Sequence, residues 1–267
     1  MTRLRVLFCC LSLTVLGVVT AQAMSITLVA GSGYVLRDGE FAAAIDAFTS
    51  YGTTAQMQEQ MRAADSPYDL DVILITHSDF DHFDASLVVA NMQTQTRSVV
   101  IAPAEVLAAI RDLAPELSET RLIDVSQALG QVVATGRADL VLSAFSFPHP
   151  PNGSRPNVGY LLTLDAITLF HPGDLDVAMA ARLFDDYNLS TAGIDLAFLP
   201  SFMFMDSGLA DAIHSLGARC LVPTHVRAMD LVRTCQQTRS LFDNILCFEH
   251  LGEEIDYTEE IAYETPS

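Results

Sequence analysis

The sequence predicts one large α/β domain, and three observations carry that reading. The chain has 267 residues, 50% of them hydrophobic, enough for a substantial core. Short apolar runs rich in β-branched residues recur, as at 72–75 and 99–102, and such unbroken runs suit strands buried on both faces. Segments of helical composition lie between them, as at 56–64 and 103–113. No linker or low-complexity tract divides the chain.

Taken in order, residues 1–23 read as a secretory signal. Arg3 and Arg5 precede an apolar stretch over 6–19, and Ala21-Gln22-Ala23 offers a small-residue cleavage site. A membrane span needs roughly 20 apolar residues, and this run is shorter. The expected mature chain begins near Met24, has no stable membrane anchor, and is exported to the periplasm or secreted. Cys9 and Cys10 would leave with the signal. Cys220, Cys235 and Cys247 would then sit in an oxidising compartment. A bridge between Cys220 and Cys247, and three buried free thiols, are both open readings.

Residues 25–36, with Gly31 and Gly33, suggest a strand and a hairpin; 41–48 either continue the sheet or form a helical turn. A helix over 56–64 leads through Ser66-Pro67 to the strand at 72–75. Asp84 suits the N-cap of a helix over 85–92. After the strand at 99–102, Pro103 suits the first position of a helix reaching about residue 113. In the second half a strand over 138–147 runs out at Pro148-His149-Pro150. Strands at 158–164 and 167–170, joined at Asp165-Ala166, end in His171-Pro172-Gly173-Asp174. Then come a strand over 194–200 and a helix over 207–216 stopped by Gly217. A strand over 220–223 delivers Thr224-His225, followed by a helix over 229–241 and a closing strand over 245–249. His214 and His250 read as incidental.

The chemistry concentrates after the strand at 72–75. His77, Asp79, Asp81 and His82 place two imidazoles and two carboxylates within six residues, all groups that bind divalent metals. A strand ending at Thr76 brings His77 to the rim of the sheet, where α/β folds keep their sites. Packing gives no reason for this set, because buried charge without partners is costly.

His77-Ser78-Asp79-Phe80-Asp81-His82 resembles the first metal-binding motif of the metallo-β-lactamase superfamily, His-x-His-x-Asp-His, with aspartate in place of the middle histidine. Thr76 before it and Phe83-Asp84 after it also resemble that superfamily. His149, then the Gly173-Asp174 pair after a hairpin, then Thr224-His225 resemble its later motif positions, in the same order. Asp46 could take the place of an aspartate that ends an early strand in relatives. Each matched residue follows an apolar strand, so one rim of a layered sheet structure could gather them.

The resemblance implies a four-layer αβ/βα sandwich over residues 24–267. It implies one metal held by His77, Asp79 and His149, a second by Asp81, His82 and His225, and Asp174 bridging them. It further implies one or two zinc ions, with manganese or iron as competitors. These would activate a water against an ester, lactone, amide or phosphodiester, with Asp81 orienting the nucleophile as catalytic residue. The motif style is nearest the lactonase-like and phospholipase-like branches, which implies a small-molecule or lipid substrate. His171, beside the motif, occupies no ligand position. Asp79 makes the two-metal centre less positive by one charge than the usual histidine would. It also keeps open a non-catalytic metal-binding or sensory module.

Charge excludes one class of partner. The chain has 14 basic and 33 acidic residues, every basic one an arginine, for a net charge of -19. Such a surface repels a phosphate backbone, so nucleic acid is not an expected substrate. The oligomeric state is not legible.

Overall fold

Alternate residues of a strand point to opposite faces, and here both faces are covered. Val72 and Leu74 pack into a core between two sheets, while Ile73 and Ile75 pack outward under helices. The computed structural model describes residues 23–126, 128–138, 140–150, 155–164 and 166–258. All of the expected signal except Ala23 lies outside the described residues, as do 151–153 of the turn after His149 and Asp165 of the hairpin.

The first half runs β1 (Met24–Leu28), β2 (Tyr34–Asp38), β3 (Phe41–Ile45), α1 (Ala55–Arg62), β4 (Val72–Leu74), α2 (Ala85–Thr94), β5 (Val99–Ala102), α3 (Ala104–Leu113) and β6 (Leu122–Asp124). The second runs β7 (Gln131–Val132), β8 (Leu140–Ser146), β9 (Val158–Leu164), β10 (Ile167–His171), α4 (Val177–Asp186), β11 (Leu196–Pro200), α5 (Ser201–Phe204), α6 (Ala210–Ser215), β12 (Cys220–Thr224), α7 (Leu231–Arg239) and β13 (Glu254–Tyr257).

One sheet has the order β13-β1-β2-β3-β4-β5-β6 and the other β12-β11-β10-β9-β8-β7. Strands β3 to β6 are parallel, as are β10 to β12; the remaining pairs are antiparallel. The inner faces of both sheets share one cluster, including Ile26, Leu74, Leu142, Tyr160 and Phe198. Residues of α1, α2 and α3 cover the outside of the first sheet, and residues of α4 to α7 the outside of the second. The result is the expected αβ/βα sandwich in a single domain.

Several local expectations change. Residues 41–45 form β3, so the helical-turn alternative falls. Pro103 is the N-cap of α3, not its first residue. The helix expected over 207–216 shortens to α6 and follows the separate short helix α5. The closing strand is β13, which pairs with the edge strand β1; residues 245–249 make only an isolated bridge from Ile245 to Leu221. Residues 244–246 touch the free edge of β12 through only two backbone hydrogen bonds, Leu221 N to Asn244 O and Leu246 N to Leu221 O (2.9 Å each), before the chain crosses to the edge of the other sheet. That crossing also decides the cysteines. Cys235 on α7 bonds Cys247, with Cα atoms 5.7 Å apart, and among the described residues Cys220 is a buried free thiol. The Cys220–Cys247 bridge does not form.

Candidate metal centre

The sheets meet at one rim. Val158 N donates to Thr76 O (2.9 Å), and Tyr160 Oη donates to Ile75 O (2.8 Å), so β9 fixes the end of β4. Beyond Thr76 the chain makes a tight turn, in which the amides of His82 and Phe83 both donate to Asp79 O (2.9 Å each). The turn brings His77, Asp79, Asp81 and His82 to one centre. From the second sheet arrive His149 after β8, Asp174 after β10 and His225 after β12.

Two groups of three result. Candidate ligand atoms of His77, His149 and Asp174 lie within 4.8 Å of one another, and so do those of Asp81, His82 and His225. Asp174 stands between them: Oδ1 is 3.3 Å from His82 Nε2, and Oδ2 is 3.2 Å from His225 Nε2 and 3.8 Å from His149 Nε2. Asp79 faces the first group, with Oδ2 3.4 Å from His149 Nε2 and 3.9 Å from His77 Nε2. Asp81 Oδ2 lies 3.2 Å from His225 Nε2. All seven expected residues therefore meet.

The hydrogen bonds orient the rings. Thr76 Oγ1 donates to Asp46 Oδ2 (2.7 Å) and accepts from His77 Nδ1 (2.9 Å). His82 Nδ1 donates to the same Asp46 oxygen at 2.8 Å, and His149 Nδ1 donates to Pro150 O. Each proton on Nδ1 leaves Nε2 with its lone pair turned inward, the tautomer that binds metal. Nε2 of His77, His82 and His149 and Oδ1 of Asp174 are buried and make no hydrogen bond. Native interiors seldom leave such atoms unpaired. Three imidazole nitrogens with carboxylate oxygens are the donor chemistry of zinc and its first-row neighbours, so the residues fit a divalent transition ion.

Asp46, at the end of β3, takes the place its sequence position suggested. Fully buried, it accepts from Thr76 N (2.8 Å), Thr76 Oγ1 and His82 Nδ1. Burial alone would raise its pKa, but His82 beside it leaves the carboxyl below its usual range. Its backbone, like that of His225, is left-handed, at φ 48° and 55°. Such strain in non-glycine residues gathers at functional sites.

Without a cation, protons balance the carboxylates. Burial presses His82 and His225 toward neutrality, yet Asp46 and Asp174 lift His82 well above the histidine range, and Asp174 and Asp81 lift His225 to about 9. His77 goes the other way, to about 4, chiefly through burial. Asp174 is held far below the carboxylate range: burial opposes ionisation, but the neighbouring His225 and His82 outweigh it.

His171 is buried outside both groups. Its Nδ1 accepts from Gly173 N (3.0 Å) and its Nε2 donates to Ser32 O at 3.4 Å, so it shapes the turn carrying Asp174. Gly173 itself is left-handed at φ 62°, and a Cβ there would collide with Asn157 Oδ1 and stand 2.9 Å from Thr76 Cβ. Buried Asn157 joins the same turn, donating to Phe147 O (3.2 Å) and Pro172 O (2.9 Å) and accepting from Asp174 N (3.1 Å). Sequence reasoning gave Asn157 no role and missed Arg155, whose Nη1 donates to Asp79 Oδ1. A lone arginine near a loop carries no signal by itself.

A cavity of about 620 Å³ opens beside the second group, with Asp81 and His225 on its wall. His214 and His250 lie away from the centre: His214 Nδ1 donates to Ala210 O (2.7 Å), and His250 is 3.8 Å from Glu253.

Comparison with known proteins agrees with this architecture. Residues 44–242 match the model of the beta-lactamase superfamily domain. A metal-dependent hydrolase of Opitutus terrae is 28% identical over 61% of this chain and 70% of its own length. Among solved structures, a metallo-beta-lactamase fold protein from Bacillus subtilis superposes with a TM-score of 0.59 at 14% identity, over 88% of this chain and all 100% of that one. A diiron β-hydroxylase from Streptomyces venezuelae superposes with a TM-score of 0.58 at 11% identity, over 90% of this chain and 55% of that one. At these identities the structures speak for the fold alone.

Proposed function

Because this chain belongs to the beta-lactamase superfamily, matched over residues 44–242, we propose that it is an exported metal-dependent hydrolase acting on an ester, lactone, amide or phosphodiester bond. The observation that carries the reading is the set of four buried, unpaired donor atoms on His77, His82, His149 and Asp174, all turned to one centre. His77, His149 and Asp174 would hold one cation, with Asp79 Oδ2 as a further donor. Asp81, His82 and His225 would hold a second, and Asp174 would touch both. Zinc suits the imidazoles best, while the carboxylates let manganese or iron compete.

Cations bound here supply Lewis acidity, lowering the pKa of a water and drawing charge from the substrate oxygen that gains it. The residues do the rest. Asp46 and Thr76 hold His82 and His77 in one tautomer, so that the donors cost no reorganisation. Asp81 stays ionised, because the His225 bond outweighs the effect of burial. On the cavity wall, its carboxylate is placed to orient a water and accept its proton. What supports catalysis over a binding-only module is that cavity, which gives a substrate direct access to Asp81 and His225. What supports export is the Cys235–Cys247 bond, since disulfides persist in oxidising compartments.

The test is elemental analysis of gently purified protein, followed by an ester, lactone, amide and phosphodiester panel before and after chelation. We expect one or two transition ions per chain and turnover that is lost on chelation and restored by zinc or manganese. A chain that takes up no metal, or turnover indifferent to chelation, would overturn the assignment.

A further inference from the structure

Resting on the hydrolase reading, we propose that the substrate is an uncharged acyl ester, lactone or amide whose hydrocarbon chain lies in the cavity beside His225. The cavity has about 620 Å³, within the range of roughly 300–1,000 Å³ that small ligands occupy. Tyr51, Val226, Ala228 and Met229 line it, with Asp81 and His225 at its wall, so an occupant meets the candidate metal centre directly.

Two polar groups of this wall are already engaged. Arg227 Nε donates to Asp230 Oδ2 at 2.7 Å, and the Ser32 carbonyl accepts from His171. Most of the remaining wall is hydrocarbon, with few groups to read the heteroatoms of a base or a sugar. Its rim is also apolar. Met229 is 83% exposed, Tyr51 49% and Phe80 67%, and the Tyr51 and Phe80 rings meet edge to face at 5.0 Å. Single exposed apolar residues need no explanation, but a group around the mouth of a cavity marks a ligand site. Methionine adds an unbranched, adaptable surface suited to a flexible chain.

Charge selects among the scissile bonds. With a net charge of -19, the chain repels an anionic phosphodiester from a distance, whereas a neutral acyl compound approaches without penalty. The two ends of the site then differ. The apolar cavity adjoins Asp81 and His225, and the charged Asp79–Arg155 pair stands on the His149 side. The acyl chain enters from the first and the leaving group faces the second.

The experiment uses the metal-loaded full chain and straight-chain 2-alkanones of four to twelve carbons, which are neutral, carry a carbonyl and cannot be hydrolysed. Calorimetry should give an affinity that rises roughly two- to fourfold per methylene until the cavity is filled. Met229→Glu and Ala228→Glu, both at exposed positions, should flatten that dependence without changing metal content. Equal affinity at every length, or a length dependence that both variants retain, overturns the proposal. The p-nitrophenyl esters of the same lengths separate the two readings. Ketone binding with the expected dependence but no turnover of any ester sinks the hydrolase and keeps the acyl site. Ester turnover with kcat/KM indifferent to length keeps the hydrolase and sinks the acyl site.

Discussion

The Asp79 carboxylate is shared between Arg155 and the histidines: Oδ1 accepts from Arg155 Nη1, while Oδ2 lies 3.4 Å from His149 Nε2. Aspartate here removes one positive charge from the centre relative to histidine, and Arg155 returns one at its outer edge. Asp79→His supplies the first group with a further imidazole, which should raise zinc affinity, but it leaves Arg155 unpaired beside the cations, which should blunt that gain. Adding Arg155→Ala should raise the affinity of the Asp79→His variant a further two- to fivefold, the size of an exposed ion-pair coupling of about 0.5–1 kcal/mol. Competition titrations with zinc decide it. Equal affinities in the single and double variants would show that Arg155 is electrically irrelevant to the centre.

Asp46 should act through His82 without touching a metal. Asp46→Asn keeps the size of the side chain but gives His82 a weaker acceptor, and loss of such a partner typically costs about 10- to 100-fold in metal affinity. Asp46→Ala should go further and destabilise the metal-free fold by about 3–5 kcal/mol, because it strands two buried donors and a histidine charge. Denaturant unfolding and metal titration measure the two effects separately. An Asp46→Asn variant with wild-type affinity would remove its orienting role.

Metal uptake should release protons from His82 and His225 and none from His77. At pH 7 the metal-free chain holds protons on His82 and on His225, the latter with a pKa of about 9, whereas His77, at about 4, is already neutral. The sign follows. Raised histidine pKa values contribute stability that is complete below the unfolded value near 6.5 and is lost as pH rises through about 9. The metal-free chain should therefore melt lower at pH 9 than at pH 6.5, while zinc affinity rises across the same window. Melting with and without chelator, and proton release in weak buffer, check both halves. Pure pH independence of zinc uptake between 6.5 and 9 would contradict the assignment of His225.

Reduction should weaken the second helical layer. The Cys235–Cys247 bond closes a loop with a sequence separation of 12, for which a stabilisation of about 2–3 kcal/mol is typical. Cys235→Ala with Cys247→Ala should lower Tm with little change in metal content, since the bond lies behind β12 and not at the rim. Cys220→Ala should leave that difference intact. Thiol counts under denaturing conditions, giving one free thiol among Cys220, Cys235 and Cys247, test the pairing directly.

The sequence by itself determined most of the buried strands and the order of the candidate metal-binding residues. Residues 72–75 and 220–223 are apolar throughout because both faces of these strands are covered, and hydrophobic continuity is a local signal that needs no partner to be read. The cluster from His77 to His82 was equally legible, since no packing need explains four such groups in six residues.

Only the tertiary structure decided what faces what. Asp46 lies 36 residues before the His82 it orients, and Arg155 lies 76 residues after Asp79. Neither partnership leaves a trace in local spacing, because an ion pair or hydrogen bond is fixed by distance in space and not along the chain. The disulfide and the closing strand were settled the same way. Cys247 pairs with α7 and not with β12, and the last strand joins β1, because the sheet edges and helix faces that compete for these residues exist only once both sheets have packed.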